Sequence, residues 1–162
     1  PTPDRHSATL ARLRWRLSQR RPTRELVVPV AGAARDFIAY APASPEAVLD
    51  DTAREYARRP ATGTWFMPYW ATLWASGIAA AEAIVADPSP FTGQRVIELG
   101  CGLGITAMAL AEVGARLAVV DVWPESLAFA RLARGAGAHH ESIVCRRGEG
   151  CRLGVRGHNE YT

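Results

Sequence analysis

Two carboxylates and a set of closely spaced glycines are the residues of this chain best placed to do chemistry. Glu98 opens the run Glu98-Leu99-Gly100-Cys101-Gly102-Leu103-Gly104, and Asp121 follows 17 residues after the last glycine, closing the apolar run Leu117-Ala118-Val119-Val120. Glycines at this spacing let the main chain pass close to a ligand. A carboxylate at the end of the following strand accepts hydrogen bonds from ribose hydroxyls. Together they suit the holding of a nucleoside-containing cofactor. A structural βα turn also wants glycine, so the turn alone does not separate the two readings. No Ser/His/Asp or Cys/His set has a spacing that suits nucleophilic catalysis.

The elements that must position these residues can be read around them. Residues 94–99 form an apolar run of strand length and are expected to be a buried strand. Ile105 to Val113 reads as a buried helix, with Gly114 where a left-handed helix stop is expected. The next strand ends at Asp121, and Pro124-Glu125-Ser126 opens another helix, with proline at its first position. The predicted unit is therefore βαβ with the glycine turn at its first bend.

Upstream, five aromatics crowd between Trp65 and Trp74, followed by a small-residue helix from about Ser76 to Ala86. Aromatics at this density mean either core packing or a lid on a ligand.

The E-x-G-x-G-x-G pattern from Glu98 to Gly104 resembles motif I of the class I S-adenosylmethionine-dependent methyltransferases. The stretch PYWATLWASG, Pro68 to Gly77, is similar to the P-[YF]-W-A-x-x-W-x-x-G signature before motif I in seven-strand protein lysine methyltransferases related to the electron-transfer-flavoprotein β-subunit enzyme. Bacterial relatives of that group are often called nicotinamide N-methyltransferase-like. The combined resemblance covers residues 40 to 132. It implies a Rossmann-like, three-layer α/β fold and S-adenosylmethionine as cofactor. It also implies an amine acceptor, either a protein lysine or a small molecule. By the same resemblance Trp74 packs on the methionine part of the cofactor, and Glu98, Gly100, Gly102 and Gly104 hold its amine and carboxylate region. Asp121 would bind the ribose, and Val122 or Trp123 would border the adenine; an exposed turn is the other reading of Trp123. The catalytic residues are not assigned.

Two other functions stay open at this level. One is a catalytically inactive cofactor-binding or interaction module, because the acceptor-side segments of the family have no match here. The other is a nicotinamide-dinucleotide oxidoreductase domain, which wants G-x-G-x-x-G and is disfavoured because Gly104 arrives one residue early.

The rest of the chain frames this unit. At 162 residues and 48% hydrophobic content a single domain with a real core is expected. All the basic residues are arginine, which points to GC-biased coding; a net charge of +3 does not by itself argue for nucleic acid, and no apolar stretch approaches the ~18 residues of a membrane span, so no membrane partner is expected. Three cysteines without a signal peptide suggest a reducing cytoplasm.

Residues 1–24 hold seven arginines, with Leu10, Leu13 and Leu17 at helical spacing beside Trp15. A solvated helix packing its apolar stripe on the domain is the reading preferred over an RNA- or membrane-binding one. Residues 25–67 begin with a hairpin, Glu25 to Val30 and Arg35 to Ala41, then a helix from Pro45 to Arg59 capped by Ser44. Residues 68–134 are the expected cofactor-binding core.

Residues 135–162 read as an irregular tail, apart from the short run Ser142-Ile143-Val144. Its composition fits a disordered interaction segment or, preferably, a frame-shifted or truncated gene end. His139, His140, Cys145 and Cys151 lack a metal-ligand spacing. A sheet cut short in this way would leave an open edge, so marginal stability or homo-oligomerisation is expected.

Overall fold

The computed structural model describes residues 5–58 and 67–133, with only the backbone given for 5–7, and also the backbone of 141–144. The histidine and cysteine positions of the tail and Trp65 lie outside the described residues.

Helix α1, Arg5–Arg20, is followed by β1, Thr23–Val28, and β2, Phe37–Pro42, paired antiparallel from Thr23↔Pro42 to Val28↔Phe37. The hairpin expected from the sequence is present, with each strand shifted by one to two residues. The leucine stripe of α1 is turned inward. Leu17 is buried and Leu10 and Leu13 are partly so, while Trp15 stands in solvent and the Arg14 guanidinium lies 5.1 Å from the Tyr40 ring centre. That packing explains the stripe without a bound partner.

Helix α2, Pro45–Ala57, starts where Ser44 caps it. The Ser44 hydroxyl accepts the backbone N–H of Ala47 at 3.1 Å, and Pro45 occupies the first turn, where its missing N–H loses nothing.

A short 3-10 turn, Tyr69–Ala71, leads into α3, Ala75–Ala86. Then β3, Arg95–Leu99, α4, Ile105–Glu112, β4, Arg116–Asp121, α5, Pro124–Ala133, and β5, Glu141–Val144, form a parallel sheet in the order β3-β4-β5. The run Ser142-Ile143-Val144 is thus a third strand, fixed by its pairing with β4 rather than by its own periodicity.

Parallel register puts Val96 and Glu98 on the same face as Leu117 and Val119. That face packs with Ile105, Ala107 and Leu110 of α4 and with Leu127 and Ala130 of α5, in a cluster that also takes in Val28, Phe37 and Ala39 of the hairpin and Ala81 and Ile84 of α3. A second cluster joins Leu17, Ala41, Val48, Trp70, Leu103, Phe129 and Leu132. Helix α5 supplies residues to both, so its placement fixes the end of β4 against the hairpin and α1.

β3 departs from the buried strand expected. Ile97 is 51% and Leu99 77% exposed. They point to the sheet face opposite α4 and α5, on the edge strand, where among the described residues no helix covers them. The result is an α/β arrangement that fits an incomplete Rossmann-like methyltransferase fold. Among the described residues no helix is long and apolar enough to cross a membrane.

Candidate cofactor site

The site forms where β3 and β4 end side by side. β3 runs into a turn in which Gly100, Gly102 and Gly104 all take positive φ, at 72°, 52° and 85°. The first of these is tied to the sheet, since Gly100 N–H donates to the Val120 carbonyl at 2.7 Å. The second is tied to a side chain. Asp121, only 6% exposed, accepts the Gly102 N–H at 3.2 Å and the Ser126 hydroxyl at 2.6 Å on Oδ2, and the Trp123 N–H at 2.9 Å on Oδ1. The glycine turn, the end of β4 and the start of α5 therefore meet on one carboxylate.

A cavity of about 230 Å³ opens beside this junction, lined by Met67, Tyr69, Trp70, Trp74, Gly100, Gly102, Asp121, Val122 and Trp123. Six of the residues singled out in the sequence come together here: Trp74, Gly100, Gly102, Asp121, Val122 and Trp123. The volume is below the roughly 300–1,000 Å³ usual for a small-molecule site.

The aromatic wall is built by local hydrogen bonding. Trp74 caps α3 in extended backbone conformation, and its indole N–H donates to the Tyr69 carbonyl at 2.7 Å. The two rings meet edge to face, 5.8 Å apart, both largely exposed on the cavity side. Trp123 also lines the cavity and packs partly on the second cluster, so it is more than an exposed turn residue.

Glu98 and Gly104 are placed differently. Gly104 caps α4 and lies against α5: a Cβ there would come within 2.9 Å of the Ala130 Cα and Cβ. It serves helix packing and does not line the cavity.

Glu98 sits on the inward face of β3, off the cavity wall, and its Oε2 is buried with no hydrogen-bond partner. Burial first, and the charge of Asp121 second, push its carboxyl from 4.5 up to about 7. The folded chain therefore holds a proton that the unfolded chain has lost between pH 4.5 and 7. Stability from this group is fully present below that window and is lost as pH rises through 7. The melting temperature of the wild type is expected to fall across this window, and that of Glu98→Gln to fall less. Parallel melting profiles for the two proteins would show that Glu98 titrates normally.

Two features missed in the sequence belong to this site. Trp70 is 5% exposed, packs at 5.5 Å on Phe129, and its Nε1–H is buried without a partner. The signal was present in the aromatic signature, but sequence alone favours Trp74. Ser126 was read only as part of a helix start, yet it is fully buried against Asp121.

The lining holds some of the groups that an S-adenosyl nucleoside would need. Asp121 gives the cavity a buried, anchored hydrogen-bond acceptor and Tyr69, Trp70, Trp74 and Trp123 give it aromatic faces, while Glu98 stands off its wall.

Comparison with known proteins agrees with this geometry. A family described as methyltransferase domain matches residues 97–158. The electron transfer flavoprotein beta subunit lysine methyltransferase of Danio rerio is 34% identical over 70 residues, covering 43% of this chain and 27% of that protein. A cypemycin N-terminal methyltransferase of Streptomyces sp is 45% identical over 49 residues, covering 30% of this chain and 20% of its own length. The ubiquinone biosynthesis O-methyltransferase of Xylella fastidiosa is 44% identical over 43 residues, covering 26% and 18%. The chain thus spans about a quarter or less of the length of these relatives. The glycine turn, the carboxylate at the end of β4 and the sheet order are consistent with these matches, which support a class I S-adenosylmethionine-dependent methyltransferase.

Proposed function

We propose that the cavity beside Asp121 binds S-adenosylmethionine and that the protein transfers its methyl group to an amine nitrogen, on a protein lysine or a small molecule. The observation that carries this reading is the Asp121 carboxylate, buried, hydrogen-bonded to the glycine turn, and opening on an aromatic-lined cavity. Every lining residue except Met67 lies within 68–134, which we take as the cofactor-binding core. Bound there, S-adenosylmethionine supplies an electrophilic methyl carbon on a sulfonium, open to in-line displacement by a neutral amine.

The residues of this chain do the binding and positioning. Asp121 holds the ribose hydroxyls, and Gly100 and Gly102 let the backbone approach the methionine end. Trp74 and Tyr69 pack on that end and keep water from it. Val122 and Trp123 border the base. Such catalysis rests on orientation and desolvation more than on proton transfer.

The choice of an amine rests on the aromatic signature at 68–77 and on relatives that methylate a lysine and an N-terminus. An O-methyltransferase matches as well, so the segment in common with all of them supports the cofactor half more strongly than the acceptor.

Isothermal titration should show S-adenosylhomocysteine binding and NAD not binding; the reverse pattern would assign the turn to a dinucleotide. Incubation of a cell extract with radiolabelled cofactor should label an amine. Binding without transfer would instead support an inactive cofactor-binding module.

A further inference from the structure

The Ser126 side chain sits at the first turn of α5, wholly enclosed. Its hydroxyl has one proton and two acceptors within reach, Asp121 Oδ2 at 2.6 Å and the Gly102 carbonyl at 2.9 Å. The charged acceptor at the shorter distance takes it. The Ser126 oxygen can then accept the Cys101 S–H, whose sulfur is 3.7 Å away. Asp121 Oδ2 already receives the Gly102 N–H, so the serine proton fills its remaining lone pair. Oδ1 holds only the Trp123 N–H. Of the two carboxylate oxygens, Oδ1 alone keeps room for another donor.

We propose that Ser126 is a positioning residue for ligand recognition: by saturating Oδ2 it fixes the rotation of the Asp121 carboxylate, so that Oδ1 is the oxygen offered to a diol-bearing nucleoside in the cavity. The inference rests on the reading of Asp121 as the ribose-binding group. Its physical basis is pre-organisation. A carboxylate held by buried donors on one oxygen gives up little freedom when the other oxygen binds. A hydroxyl enclosed this completely is retained where its partner needs it. The Cys101 sulfur, 3.7 Å from the Ser126 oxygen and 4.0 Å from Asp121 Oδ2, packs against the same inner side of the carboxylate.

The test compares two ligands, S-adenosylhomocysteine and its analogue lacking both ribose hydroxyls. The analogue reports every contact except those of the diol. The wild type should prefer the natural nucleoside. Ser126→Ala should weaken S-adenosylhomocysteine about tenfold and leave the analogue nearly unchanged, so that the preference shrinks. Ser126→Cys keeps the packing volume with a weaker donor and should fall between the two, which maintains the test where the alanine variant folds poorly. Ser126→Thr, which restores the hydroxyl, should regain the wild-type preference even where its extra methyl lowers stability.

A purely structural role would weaken both ligands in equal proportion, and an unchanged preference in the alanine and cysteine variants would overturn the proposal. A wild type that binds both ligands but does not distinguish them would overturn the ribose assignment of Asp121 itself. A wild type that binds neither would remove the cofactor reading.

Discussion

Asp121→Ala is expected to lower the affinity for S-adenosylhomocysteine about a hundredfold, on the order of 3 kcal/mol. The carboxylate is 6% exposed and fully engaged on its inner oxygen, so what the ligand meets is a pre-aimed acceptor in a partly dry site. A charge-assisted hydrogen bond of this kind is worth roughly 1.5–3 kcal/mol, and Oδ1 has room for one from the ribose diol. Alanine also leaves the Gly102 and Trp123 N–H groups and the Ser126 hydroxyl without their acceptor, which loosens the glycine turn that approaches the methionine end.

Asp121→Asn separates the two effects. Its amide can satisfy one of these faces but sets an NH2 against an N–H on the other, Gly102 within or Trp123 without. An intermediate loss of about tenfold is expected. Calorimetric titration gives the affinities, and a melt of each variant shows whether the fold survives. Wild-type affinity in a folded Asp121→Ala protein would remove this carboxylate from the site.

The features legible in the sequence are those set by local rules. Positive φ requires glycine in the turn, so Gly100, Gly102 and Gly104 announce it. Serine before proline announces the start of α2, and the leucine spacing of α1 announces which of its sides is buried. Asp121 could be placed beside the turn because it closes the strand that follows the turn's helix and pairs with β3.

What could not be read depends on partners distant in sequence. Residues 94–99 look like any interior strand. Leu99 and Ile97 are exposed because, among the described residues, β3 is an edge strand and α3, α4 and α5 pack with its other face. β5 is too short to show a period and exists through its pairing with β4. Glu98 and Gly104 belong to the glycine motif by sequence, yet one lies off the cavity wall and the other meets Ala130 across the helix pair. Ser126 looks like a helix-start residue until the chain folds it against Asp121, and only that fold gives it a role.

Gly104→Ala should be the most destabilising of the small substitutions in this core. Two effects act together at this residue. Its φ of +85° disfavours any side chain, for about 1–2 kcal/mol, and its new Cβ would lie 2.9 Å from both Cα and Cβ of Ala130. Backbone cannot swing aside as a flexible side chain does, so α4 and α5 must separate, which adds roughly 1–3 kcal/mol. A total of about 2–5 kcal/mol lowers the melting temperature by roughly 4–20 °C in a chain of this size.

Gly114→Ala is the internal reference. Its φ is +81° and nothing lies within 4 Å of the added Cβ, so it carries the conformational part alone. The difference between the two melting temperatures measures how tightly α4 rests on α5. Because α5 also carries Ser126, the same displacement should weaken S-adenosylhomocysteine in Gly104→Ala and spare it in Gly114→Ala. Equal losses of melting temperature in the two variants would show that the α4–α5 contact resists nothing, and that the third glycine is needed for its backbone angle alone.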